Sequence, residues 1–175
     1  MMKKKGLRVL MTLVLAVCML AASFTVSVAP AQAADEEFQI GAFFAPTWAY
    51  TNATQHDYLR DAHINLIQTF YPNGLGMSTI AQMNTVLDLA GARGMKVQVS
   101  DSRNTSLTDA NVDAIANSYK NHPATAGYYV VDEPGSGSFT YCANAYRRFL
   151  LNDPDCVPNV NLFPIAAYGT SYAQY

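Results

Sequence analysis

Apolar strands and amphipathic helices alternate along residues 38–166, and this alternation restricts the fold more than any other feature. Parallel strands need a long crossover, usually a helix, so strict alternation predicts a parallel sheet covered by helices. Five apolar stretches are predicted to be strands, at residues 38–45, 65–71, 95–100, 127–134 and 160–166. Four stretches with helical periodicity lie between them, at residues 54–63, 79–92, 109–120 and 139–151.

The spacing of these units favours a barrel over an open sheet. The first three strand–helix units take close to thirty residues each, and eight such units need about 240 residues, the usual size of a TIM barrel. The sequence therefore predicts an α/β fold, a parallel (β/α) barrel of TIM type truncated after strand five. The alternative is a doubly wound open sheet, which often carries a glycine-rich phosphate loop after its first strand. Ala45-Pro46-Thr47-Trp48 stands there instead.

A basic stretch and a long apolar stretch precede the first strand. Residues 3–8 hold four basic side chains, residues 9–28 are largely apolar, and Ala31-Gln32-Ala33 fits a cleavage site. This pattern predicts a secretory signal peptide at residues 1–33 and a secreted domain at residues 34–175. The alternatives are an uncleaved membrane anchor, since the apolar stretch is long enough to span, and a lipoprotein anchored through Cys18.

The charge of the secreted part excludes some partners. Residues 34–175 carry seven basic and thirteen acidic side chains, a net charge of −6. Such a domain is a poor partner for nucleic acid or anionic membrane surfaces, and no integral membrane span is expected after signal cleavage.

No Cys and His residues have the spacing of metal ligands, so neither a metal nor another cofactor is predicted. Cys142 and Cys156 are separated by a predicted helix and are expected to be separate thiols.

Aromatic and charged residues follow the predicted strands. In a barrel the functional site lies at the carboxyl ends of the strands. Sugar rings stack on aromatic faces, and their hydroxyl groups pair with charged side chains, so this mixture predicts a carbohydrate site. The predicted site residues are Trp48, Phe70, Tyr71, Asp101, Arg103, Asp132, Glu133, Phe163 and Tyr168. The alternatives are a core role for Trp48, a surface ion pair for Asp101 and Arg103, and backbone capping for Asp132 and Glu133.

The fourth predicted strand resembles a known family. His122-Pro123-Ala124, Gly127-Tyr128 and Asp132-Glu133-Pro134 are similar to the fourth strand of clan-A retaining glycoside hydrolases, which are (β/α)8 barrels. The resemblance implies that Glu133 is the general acid/base. Asp132 stands where the family has the asparagine that holds the sugar 2-hydroxyl. This departure adds a negative charge, and an ionised aspartate only accepts hydrogen bonds.

A retaining mechanism also needs a second carboxylate about 5–5.5 Å from the first. In clan A it follows strand seven, which this sequence does not contain. We therefore expect the N-terminal portion of a glycoside hydrolase-like barrel, or an incomplete gene product, that does not hydrolyse glycosides alone. One alternative is a non-catalytic carbohydrate-binding or cell-surface barrel, and another is an open-sheet binding protein complete in residues 34–175.

Overall fold

The strands form one parallel sheet. A computed structural model describes residues 38–70 and 79–162, so the predicted signal peptide, Tyr71, Phe163 and Tyr168 lie outside the described residues. Every pair of neighbouring strands is parallel, and the spatial order follows the sequence order from the first strand to the fifth. The strands are β1 (Gly41–Phe43), β2 (Leu66–Gln68), β3 (Lys96–Val99), β4 (Thr125–Asp132) and β5 (Asn159–Asn161).

A helix connects each strand to the next, as the alternation predicts, and local hydrogen bonds fix where the helices begin. The Thr79 side chain accepts a hydrogen bond from the Gln82 backbone N–H, and the Gln82 side chain accepts one from the Thr79 backbone N–H. Together these two bonds form a capping box. Thr108 caps the next helix through the backbone N–H of Asn111. The helices are α1 (Ala53–Asp61), α2 (Ile80–Gly91), α3 (Asp109–Tyr119) and α4 (Phe139–Asn152).

The strand order distinguishes the two predicted architectures. In a doubly wound sheet the order reverses at a switch point. Here it does not reverse, so the described sheet has the order of a TIM-type barrel, and the open-sheet alternative is excluded for these five strands.

The sheet curls. Gln68 on β2 and Asn159 on β5 are three strand spacings apart, which would be about 14 Å in a flat sheet. Yet Nε2 of Gln68 lies 2.9 Å from Oδ1 of Asn159. The same Nε2 lies 2.9 Å from Oε1 of Gln98 on β3. The three side chains therefore meet on the concave face of the sheet.

The apolar core lies on the opposite, helix-covered face. Tyr128 of β4 stacks on Phe149 of α4 with ring centroids 4.4 Å apart, and its hydroxyl donates to Oδ2 of Asp153 at 2.7 Å. Within the described ranges, no helix is long and apolar enough to cross a membrane. The fully buried core residues of this face include Ile67, Met83, Val86, Leu87, Val97, Val99, Val112, Ile115, Tyr119 and Phe149.

Candidate functional site

A bulge in β4 brings Asp132 to the concave face. The register with β5 shifts between Tyr129 and Val131, so the residues of β4 do not alternate strictly there. Val130 and Val131 both pack against the helix-side core, whereas Tyr129 does not belong to it. Asp132 therefore shares the concave face with Tyr129, and the hydroxyl of Tyr129 donates to Oδ1 of Asp132 at 2.6 Å.

Two donors hold the Asp132 carboxylate. Besides the Tyr129 hydroxyl, Nδ2 of Asn161 on β5 donates to the same Oδ1 at 2.8 Å. In residues 38–70 and 79–162, no donor reaches Oδ2, which keeps its capacity to accept. Burial and, after it, the bond to Asp132 raise the pKa of Tyr129, so this phenol stays a donor over the physiological pH range.

The backbone turns sharply at Glu133. Its φ of 46° lies in the left-handed region that non-glycine residues seldom adopt. Its backbone N–H donates to the Asn161 carbonyl at 2.8 Å. The side chain is partly exposed, and no described residue makes a hydrogen bond or an ion pair with its carboxylate. Glu133 thus has a fixed backbone and an unengaged acid group at the carboxyl end of β4.

A cavity of about 200 Å³ lies beside Asp132. Phe70 and Tyr129 meet edge to face there, with centroids 5.3 Å apart, and Nδ2 of Asn104 donates to the Tyr129 carbonyl at 2.6 Å. The cavity is smaller than the about 300–1,000 Å³ typical of whole ligand sites, so it accommodates part of a ligand. Its lining residues are Phe70, Ser100, Asn104, Tyr129, Val130, Val131 and Asp132.

A larger cavity of about 490 Å³ lies at the other end of the strands. It is lined by Asp88, Lys96 and His122 among others, around the amino ends of β3 and β4. His122 accepts a hydrogen bond from the Ala124 backbone through Nδ1, and its Nε2 lies 3.1 Å from Asp88. In barrels this face contributes to stability rather than chemistry, so we place the candidate site at the smaller cavity.

Asp101 and Arg103 are turned towards α3. Asp101 is 1% exposed, forms an ion pair with Arg103, and accepts from the Tyr119 hydroxyl at 2.8 Å. Nη1 of Arg103 donates to Oγ of Ser118 at 3.1 Å. The bond to Asp101 raises the pKa of Arg103. Neither residue lines the cavity beside Asp132, and this geometry favours the ion-pair alternative, with Asp101 buried rather than on the surface.

The other predicted residues are spread over the same end of the sheet. Trp48 lies in a 3-10 turn (Trp48–Tyr50) after β1 and is 39% exposed, but it does not line the cavity. Phe70 does line it. Tyr71, Phe163 and Tyr168 are outside the described residues. Among the residues that are described, no group of three or more His, Cys, Asp or Glu side chains could hold a metal ion.

Sequence reasoning missed the residues that support Asp132. Asn161 lies in a stretch that the sequence predicts only as an apolar strand. The available signal is the spacing of Asn159 and Asn161, because residues two apart in a strand lie on the same face. Asn104 belongs to a polar loop with no distinctive pattern.

Comparison with known proteins supports the fold. No protein-family model matches the chain, and no curated protein matches it significantly. Endoglucanase Cel5A of Pseudomonas stutzeri has a similar structure, with a TM-score of 0.50 and 20% identity over 62% of this chain. A second structure of that enzyme, in complex with cellobiose, has a TM-score of 0.48 and 21% identity over 61% of this chain.

The chain spans 42% and 40% of the two endoglucanase chains. At 20% identity the first match shows the fold alone. It confirms the resemblance to a glycoside hydrolase-like barrel at that level, including the five parallel strands with helices between them.

Proposed function

We propose that this chain carries a carbohydrate site of glycoside hydrolase type, with Glu133 as general acid/base and Asp132 as a ligand-binding group. The observation that carries the proposal is that Asp132, the last residue of β4, lines a cavity with aromatic walls, and that Glu133 follows it directly in the chain. The similar barrel is an endoglucanase, which supports a sugar as the ligand.

The surroundings suit the two carboxylates to different roles. Asp132 is held at Oδ1 by Tyr129 and Asn161, so its position is fixed and Oδ2 can accept a hydrogen bond from a ligand hydroxyl. No described residue binds the Glu133 carboxyl group, which suits a residue that must deliver a proton to a leaving-group oxygen.

A second catalytic carboxylate is not found near Glu133 in the described ranges. Asp101 was the remaining acid predicted at this end of the sheet, and its oxygens are engaged by Arg103 and Tyr119. A retaining mechanism needs a nucleophile about 5–5.5 Å away. We therefore propose that this chain alone binds sugars without hydrolysing them, and that the acid/base role of Glu133 needs a nucleophile that the described residues do not supply. This favours, as the second candidate function, a non-catalytic carbohydrate-binding or cell-surface barrel.

Calorimetric titration of the purified chain with cello-oligosaccharides tests the proposal. We expect saturable binding that Asp132→Ala weakens at least tenfold, because the variant removes the acceptor at Oδ2. Asp61→Ala, on the exposed end of α1, is the matched control and should bind as wild type does. Wild-type protein that binds no oligosaccharide would refute the carbohydrate site.

An aryl glycoside tests whether the chain alone is catalytic. The chain should release no aryl product, because the described residues supply no nucleophile near Glu133. Turnover that disappears in Glu133→Gln would show instead that the chain is a complete enzyme.

Secretion is a separate proposal, and the N-terminal sequence of the exported protein, expected to begin at Ala34, tests it.

A further inference from the structure

The negative charge at the candidate site has no positive partner in the described ranges. The two groups that hold the Asp132 carboxylate, the Tyr129 hydroxyl and the Asn161 amide, are both uncharged. Every ion pair within residues 38–70 and 79–162 is formed by other acids, and none includes Asp132 or Glu133. Hydrogen bonds therefore orient the Asp132 carboxylate, but no described side chain neutralises it.

The sequence shows that the remaining segments cannot supply a cationic side chain. The segments at residues 71–78 and 163–175 contain no Lys, Arg or His. All seven basic side chains of residues 34–175 fall in the described ranges, and they are Arg60, Arg93, Lys96, Arg103, Lys120, Arg147 and Arg148. The positions of these seven residues therefore decide whether the predicted secreted domain can neutralise its own site.

These basic side chains are paired with other acids or placed away from the site. The pairs are Arg60 and Arg93 with Asp57, Arg103 with Asp101, and Arg148 with Asp113. Lys96 begins β3 and donates to the Pro123 carbonyl at 2.6 Å, and Lys120 follows the end of α3, so both lie at the amino ends of the strands. Arg147 is exposed on α4. No basic residue lines the cavity beside Asp132.

The charge of Asp132 and the aromatic walls of the cavity both favour a cationic ligand group. A hydrogen bond between a carboxylate and an ammonium group is stronger than one between neutral groups. Aromatic faces also attract cations, and Phe70 and Tyr129 form part of the cavity wall. An organic cation fits better than a metal ion, because no group of three or more metal-binding side chains occurs in the part of the chain that the structure describes.

We propose that the ligand of this site is an amino sugar, whose ammonium group donates a hydrogen bond to Oδ2 of Asp132. This inference rests on the proposed function and names the ligand class within it. An amino sugar keeps the C–H face that stacks on an aromatic ring, and its ammonium group supplies the positive charge that the site lacks. Sugars that carry carboxylate or sulfate groups fit poorly, because Asp132 and Glu133 would repel them.

Three β-1,4-linked tetrasaccharides separate the effect of charge from that of hydrogen bonding. The glucosamine tetramer carries ammonium groups, the N-acetylglucosamine tetramer carries neutral N–H donors, and cellotetraose carries hydroxyl groups alone. Titration calorimetry of the purified chain at about pH 6 compares them, since amines are protonated and carboxylates are ionised there. We expect the wild type to bind the glucosamine tetramer about tenfold more tightly than either of the others.

Asp132→Asn is the deciding variant. Its amide oxygen can accept the bonds from Tyr129 and Asn161, so the variant keeps these contacts and loses the charge. We expect its preference for the glucosamine tetramer over cellotetraose to fall from about tenfold to less than about twofold. Asp61→Asn is the matched control, because it removes one negative charge from the exposed end of α1 and should keep the preference. The preference is a ratio measured on one sample, so a change in the folded fraction does not alter it.

The possible results separate this inference from the proposed function. Cellotetraose or the acetylated tetramer bound as tightly as the glucosamine tetramer overturns this inference alone. A preference that Asp132→Asn retains, or that Asp61→Asn loses to the same extent, also overturns it, because the cation would then respond to the overall charge of an acidic chain. Wild-type protein that binds none of the three tetrasaccharides overturns the proposed function, and this inference with it.

Discussion

Replacing Asp101 tests whether this buried acid serves the fold or the ligand. In Asp101→Ala the hydroxyl of Tyr119, which is fully buried, loses its acceptor, at a cost of about 1–3 kcal/mol. Arg103, whose side chain is 22% exposed, loses its ion-pair partner, and breaking a buried pair costs about 3–5 kcal/mol. Because Arg103 keeps its hydrogen bond to Ser118 and some contact with solvent, we expect a total of about 4 kcal/mol rather than the sum of the two costs.

Asp101→Asn keeps an acceptor for Tyr119 and loses the charge, so about 1–2 kcal/mol is expected. Urea unfolding measures both variants, as a lower midpoint with an unchanged slope. Asp61→Asn is the control, since the ion pair of Asp61 with Arg60 is exposed to solvent and contributes little to stability. Oligosaccharide affinity per folded molecule should not change in Asp101→Asn. An Asn variant with normal stability and weakened binding would refute the structural role and restore Asp101 to the site.

Two further predictions concern stability. Burial lowers the pKa of His56, whose Nε2 has no partner among the described residues, so folding disfavours protonation of this side chain. The free energy of unfolding should therefore fall as the pH drops below about 6.5. Thermal melts between pH 7.5 and 5 should show a smaller loss in His56→Gln. A Cβ at Gly127 would lie 2.0 Å from the Val157 carbonyl oxygen, so Gly127→Ala should cost about 3 kcal/mol in urea unfolding, whereas Gly135→Ala, with open space, should be near neutral.

The sequence predicts the order of elements well because that order depends on periodicity. Apolar residues at helical spacing give α2 and α3, and the cap at Thr108 follows from side-chain chemistry that acts within one turn. Alternation of strands and helices then leaves parallel pairing as the expected outcome. These are local properties, so a single sequence contains them.

The details of the site depend on departures from periodicity. Strict alternation along β4 would put Tyr129 and Asp132 on opposite faces, and the bulge puts them on one. The positive φ of Phe44 and Glu133 likewise has no signal in residue type, since neither is glycine or asparagine. The sequence predicts Asp101 at the carboxyl end of β3, where it lies. The direction of its side chain is decided by Tyr119 and Arg103, which contact it only in the folded chain.

The same contacts explain why an aspartate at position 132 matters. The Tyr129 hydroxyl and Asn161 Nδ2 both donate to Oδ1. An asparagine held by these two donors would have to point its carbonyl oxygen at them, and its NH2 group would then face the position that Oδ2 occupies. Aspartate presents an acceptor there, and asparagine would present a donor. This departure from the family pattern therefore reverses the polarity of the hydrogen bond offered to a ligand, and the proposed site selects a ligand group that donates.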